Sequence, residues 1–352
     1  MAVQRESPLE FTVEDLDREL IARGAQTPGK KQFKFKDREG TPQRNAIMTG
    51  VRELYETPPP PNEALAHIST WDLAKILIFK TRSTMDFTRG AWSDDLTDGY
   101  EITDEQINQN ADCTAAICMK DSLIDANNEF STLKVKNYGE TFNLCDIEPF
   151  SHQPLAAGIM FTGFLVKDDV IATAGHEVNE RNVTNLRILF GYKMVDSTTP
   201  MTTFANDNIY QGTKIIRRVH HPGGNGPDWA LVKLDRKVVG QTVARFSTTE
   251  ISCDQAIYVI GHPLGLPMKY AAGAYVGDVD KTSFMANLNI YSGNSGAPVF
   301  GLHTHEVIGI VVKGEKRDLR WTGNCWISVE YLEGKKTQCT MVSEFIDIVR
   351  EL

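Results

Sequence analysis

Three short motifs in this chain carry residues that could together perform nucleophilic chemistry. His176 closes Thr173-Ala174-Gly175-His176 at the end of an apolar run, and Asp228 stands at the head of Trp229-Ala230-Leu231-Val232. Ser295 lies in Ser292-Gly293-Asn294-Ser295-Gly296-Ala297-Pro298-Val299. A serine hydroxyl is a weak nucleophile at neutral pH and needs an adjacent base. Imidazole suits that role, because its ordinary pKa lies near the working pH. A carboxylate behind the imidazole fixes its tautomer and stabilises its cation. The developing oxyanion needs N–H donors already aimed at it. Gly293, two residues before Ser295, lets the backbone turn so that the amides of Gly293 and Ser295 converge. The chemistry such a set performs is acyl transfer.

Each motif alone has a bland reading: a core histidine, a turn aspartate, a plain loop. Their order decides between the readings. His, then Asp, then Ser is the chain order of one triad architecture and not of subtilisins or α/β-hydrolases. Between His176 and Asp228 lie enough residues, 52 in separation, for several strands. An α/β-hydrolase would need its histidine well after the serine, yet only His303 and His305 follow Ser295.

The elements that must position these residues are short and β-rich. From about residue 150 the chain reads as runs at 158–166, 170–175, 185–192, 213–219, 229–234, 256–263, 297–302, 306–314 and 325–332, punctuated by Gly, Pro and Asn. Many short strands at close spacing imply a sandwich or barrel. Residues 341–352 close the chain as a helix with Val342, Phe345, Ile346 and Val349 on one face. The N-terminal third reads differently. Amphipathic helices are expected at 13–23, 43–56 and 70–80, with a basic loop at 29–44, an extended spacer at Pro58–Pro61 and a loop at 81–99.

TAGH, DWALVKL and GNSGAPV resemble the three signature segments of trypsin-like serine peptidases. Asn294 in GNSG, together with FTGFLV and VIATAGH (161–176) and GHPLGLPMKYA (261–271), is similar to the bacterial glutamyl-endopeptidase-like branch. The resemblance covers residues 105–352 and implies a mainly β, double six-stranded antiparallel barrel of the chymotrypsin type. It places the active site in the cleft between barrels, with His176 and Asp228 from the first and Ser295 from the second. It also implies an oxyanion hole at Gly293 and Ser295, and a substrate pocket near Asn289, Val311, Val312, Lys313, Gly314 and Asn324. No acidic residue stands at Asn289 and no histidine at Val311, so a neutral side chain before the scissile bond is expected. Segment 312–314 is expected to offer an edge to extended substrate backbone. Two departures matter. Glu177 follows the histidine where vertebrate enzymes carry a cysteine, and Asn294 replaces the Asp that pairs with a freed N-terminus in proteolytically activated members. Residues 1–104 fall outside the resemblance and are available to restrain the peptidase or recruit a partner.

The bulk properties bound the rest. A net charge of −9 gives no sign of a nucleic-acid surface. No uncharged apolar stretch is long enough to span a membrane, and the charged N-terminus lacks a signal-peptide core. The six cysteines are sparse and irregular, which reads as buried free thiols, with Cys325 and Cys339 the one pair weighed. The expected protein is cytoplasmic, acts on a protein or peptide substrate, and needs no metal or organic cofactor. His220, His221 and His262 read as structural, and His303 and His305 as a hairpin tip. The rivals are a non-catalytic interaction protein on the same fold, and an esterase.

Overall fold

The structure, a computed structural model, describes residues 12–22, 65, 96–145, 148–222, 226–314, 318–321, 324–328 and 337–352. The helices expected at 43–56 and 70–80, the basic stretch 29–44, and Pro58–Pro61 lie outside the described residues. The chain divides into two compact units: 1–89 with 145–147 and 321–327, and 90–144 with 148–320 and 328–352.

In the first unit, Thr12 caps helix α1 (Val13–Ala22). The Thr12 hydroxyl accepts from the Asp15 amide at 3.1 Å, and the Asp15 carboxylate accepts from the Thr12 amide at 3.0 Å. This reciprocal cap satisfies two amides that a helix start leaves unpaired. The same unit holds a disulfide between Cys145 and Cys325. The sequence expectation is corrected here: Cys325 is bridged, and its partner is not Cys339. Cys339 is a free, fully buried thiol facing Phe284 and Val311 across the sheet, which burial pushes far above its ordinary pKa.

The second unit contains two antiparallel barrels. The first closes through β2 (Thr114–Met119), β3 (Met160–Lys167), β4 (Val170–Thr173), β5 (Leu186–Phe190), β6 (Ile209–Val219) and β7 (Trp229–Leu234), in the order β6-β7-β4-β3-β2-β5. The second uses β8 (Ala256–Gly261), β9 (Lys269–Val279), β10 (Ser283–Ala286), β11 (Pro298–Gly301), β12 (Val307–Lys313) and β13 (Thr337–Met341). Its order is β9-β8-β11-β12-β13-β10, and β10 returns to β9. The fold is thus mainly β and chymotrypsin-like.

Side-chain alternation explains why several strands are apolar on both faces. Phe161, Leu165, Ile171, Ala230 and Val232 fill the first barrel, and Ile257, Val259 and Val299 the second. The residues between them, Phe164, Val166, Val170, Ala172, Trp229, Leu231, Tyr258, Ile260 and Phe300, form a third core that joins the barrels. The chain's C-terminus seals this seam. Helix α4 (Ile346–Glu351) is shorter than expected, because Val342–Glu344 form a 3₁₀ turn; Val342, Phe345 and Val349 enter the seam. Two further helices are α2 (Glu105–Cys113) and α3 (Tyr138–Phe142).

Part of the expected loop at 81–99 is a strand. Strand β1 (Leu96–Asp98) pairs with β9, Leu96 opposite Ala271 and Asp98 opposite Lys269. The Lys269 ammonium bonds the Asp98 carboxylate and lies 2.7 Å from Gln153 Oε1, and all three side chains are buried.

Candidate active site

Strand pairing brings His176 and Asp228 together. β4 and β7 are neighbours with Thr173 opposite Ala230, so the chain just past β4 meets the chain just before β7. Gly175 occupies the crossing: a Cβ there would sit 2.3 Å from the Val219 carbonyl oxygen and 2.8 Å from that of Trp229. The turn Gly175–Glu177 then carries His176 back onto Asp228. The His176 amide donates to Asp228 Oδ1 at 3.0 Å, and ring Nδ1 lies 3.1 Å from Oδ2. Arg218 on β6 donates through Nε to the Gly175 carbonyl at 2.6 Å and braces the turn.

Ser295 comes from the loop before β11, and Thr162 of β3 joins it to the first barrel. The Thr162 amide donates to the Ser295 carbonyl at 3.0 Å, and its hydroxyl donates to the Gly293 carbonyl at 2.8 Å. Ser295 Oγ then lies 3.1 Å from His176 Nε2. The loop's shape requires glycine at two points. Gly296, at φ +84°, would put a Cβ 2.1 Å from the Thr162 carbonyl oxygen; Gly293, at φ +94°, would put one 2.5 Å from that of His262. Among the described residues no backbone carbonyl accepts from the amides of Gly293 or Ser295.

The second barrel also holds Asp228. The Thr340 hydroxyl on β13 accepts from the Asp228 amide at 2.9 Å. A further ring shares the carboxylate: His220 Nδ1 lies 2.9 Å from Asp228 Oδ2. His220 read as structural in the sequence; in the fold it touches the same oxygen as His176. No sequence signal separated it from His221, because the contact depends on how β6 ends against Asp228. Glu177 and Thr340 were equally invisible as site residues.

The electrostatics follow from these contacts. Burial alone would lower the His176 pKa, but hydrogen bonds and charge from Asp228 and Glu177 override it and raise the ring to about 9. Burial alone would raise the Asp228 carboxyl, yet His176 and then His220 hold it below its ordinary value. Behind the serine loop, His262 is fully buried and stacked on Tyr192, and burial drives its pKa down to about 3.

The expected pocket residues divide between the units. Asn289 is buried, Val312 half-buried and Lys313 exposed at the end of β12. Gly314 follows, and a Cβ there would meet Ile290 Cδ1 at 2.9 Å. The Gly296 amide donates to the Val311 carbonyl; past that bond the β11-side edge of 312–314 has no strand partner among the described residues. Asn324 belongs to the first unit. His305 bonds the Tyr258 hydroxyl at 3.1 Å in the β11–β12 hairpin. Among the described residues no cluster of His, Cys, Asp and Glu could hold a metal ion.

Residues 161–310, which span His176, Asp228 and Ser295, match the family model of the trypsin-like peptidase domain. That stretch carries a trypsin-like peptidase domain. No curated protein matches this chain. Solved structures similar to it include a Glu endopeptidase in complex with MPD, at 16% identity over 73% of this chain and 97% of that one, with a TM-score of 0.43. They also include the active form of the Rv3671c protease of M. tuberculosis, at 14% identity over 69% and 82% with a TM-score of 0.40. A scabies mite inactivated protease paralogue aligns at 14% identity over 69% and 96%, with a TM-score of 0.45.

Proposed function

We propose that this chain is a serine endopeptidase. Ser295 Oγ attacks the scissile carbonyl while His176 Nε2 takes its proton. The same nitrogen then delivers that proton to the leaving amine. Asp228 holds the ring in the required tautomer and stabilises its cation. The Gly293 and Ser295 amides receive the oxyanion. Water then attacks the acyl-enzyme, with His176 again the base. The observation that carries this reading is the double contact of one imidazole: Nδ1 lies 3.1 Å from Asp228 and Nε2 3.1 Å from Ser295. For the residue before the scissile bond we propose a neutral side chain, because Asn289 is uncharged.

The test is cleavage of a protein substrate by Ser295→Ala. Turnover should vanish while the circular-dichroism spectrum and melting temperature stay unchanged; unchanged turnover would overturn the mechanism. Side-by-side peptide and ester turnover separates a peptidase from an esterase on the same triad. A fluorophosphonate that fails to label the folded protein would favour a non-catalytic binding role.

We further propose that the chain before the barrels restrains the peptidase or recruits a partner. Equal activity of the full chain and of a fragment beginning at residue 90 would count against restraint. No helix among the described residues is long and apolar enough to cross a membrane. The Cys145–Cys325 bridge is of a kind that persists in oxidising compartments. It weighs against the cytoplasmic location expected from the sequence.

A further inference from the structure

The edge of the His176 ring that faces Ser295 has a second neighbour. Glu177 Oε1 lies 3.3 Å from Nε2, the same nitrogen that lies 3.1 Å from Ser295 Oγ. On the serine-peptidase reading above, Nε2 hands its proton to the leaving amine. A carboxylate beside Nε2 therefore stands where the residue after the scissile bond must pass. The other charged groups around the ring are committed elsewhere. Asp228 takes Nδ1, His220 bonds Asp228 with its ring centroid 6.2 Å from that of His176, and Arg218 gives its Nε to the Gly175 carbonyl. Among the described residues His176 is the only cationic partner of Glu177, whose side chain is 26% exposed and so open to a ligand.

Two states follow. With the Nε2 proton bound to Glu177, His176 is an imidazolium and has no lone pair for the serine. When a cation draws the carboxylate away, the Nε2 proton passes to bulk water and the freed lone pair faces Ser295 Oγ. We propose that Glu177 is a specificity-determining residue on the leaving-group side, selecting peptides with Lys or Arg directly after the scissile bond and disfavouring Asp or Glu there. The contacting ammonium or guanidinium replaces His176 as the partner of the carboxylate, so the preferred substrate itself releases the base. Consistently, Glu177 is among the groups that raise the ring's pKa.

The experiment uses the full chain as wild type, Glu177→Gln and Ser295→Ala. A peptide library varied at the position after the cut is read by mass spectrometry, and fluorophosphonate labelling is followed against pH. The probe carries no peptide on that side, so it reports the base alone. Wild type should favour Lys or Arg over Leu by roughly three- to fivefold, the scale of a half-exposed ion pair. Glu177→Gln should lose that preference and label at lower pH. In the unaltered chain, ~1 M NaCl should flatten the preference by screening the pair, which keeps the test independent of the variant's folding. The proposal is overturned by equal preferences in wild type and variant, by coincident labelling curves, by a preference untouched by salt, or by labelling without cleavage of any peptide. Absence of both labelling and cleavage, as in Ser295→Ala, would instead remove the serine-peptidase reading and this inference with it.

Discussion

His176 draws charge from two carboxylates, and this places its two roles in opposition as pH changes. A base must be neutral, so activity should climb as pH rises toward about 9, where the ring loses its proton. The acid limb of kcat/KM should therefore lie near pH 9 for substrates without a basic residue after the cut. Stability runs the other way. The folded pKa is raised above the ordinary 6.5, so the contribution is complete below 6.5 and is lost as pH rises through about 9. Thermal melts across pH 6–10 would show that loss as a falling melting temperature. His220 is a positioning residue on the same carboxylate. His220→Ala should lower kcat about tenfold, the scale of one hydrogen bond to a charged group. It should also move the acid limb further upward, because Asp228 Oδ2 then serves His176 alone. Asn at this position should restore part of the rate, since its amide can donate from near the site of Nδ1. A purely structural role would leave the pH profile in place.

At the scale of elements, the site depends on short connections pinned by glycine and by side-chain hydroxyls. Gly296→Ala should abolish activity and lower the melting temperature, because its Cβ has no room beside the Thr162 carbonyl and Thr173. A melt and a labelling assay would check both effects. The motifs around His176, Asp228 and Ser295 were legible because each combines apolar strand residues with a distinctive turn. Strand β7 begins and ends where its sequence reads, at Trp229–Leu234. Four barrel strands, β2, β9, β10 and β13, carried no such signal. TAAICM, KYAAGAYVGDV, SFMA and TQCTM are rich in Ala, Gly, Thr and Met, and only tertiary pairing makes them strands. The contact of His220 with Asp228 was hidden for a related reason: it arises from the ends of two strands, and neither end is marked by a motif.

At the scale of the whole molecule, two long-range ties hold distant stretches of chain. Cys145 and Cys325 are 180 residues apart. Replacing both by Ala should cost about 2–5 kcal/mol in a reversible denaturant titration, the usual range for a native bridge. Reductant should lower the wild type's denaturation midpoint toward that of the double variant and leave the variant unchanged. The second tie is ionic. Lys269→Met leaves Asp98 buried without its partner and should destabilise the fold by about 3–5 kcal/mol in the same assay.

The Asp98–Lys269 pair also limits how far the chain can be shortened from its front. A cut at residue 104 would remove β1 and leave the Lys269 ammonium of the second barrel with Gln153, the Pro267 carbonyl and the Phe150 ring as neighbours. Processing that stopped before Leu96 would spare this anchor, whereas trimming beyond Asp98 would inactivate by unfolding rather than release an inhibitor. Any shortening of this chain from its front therefore has a physical stop on the near side of a three-residue strand.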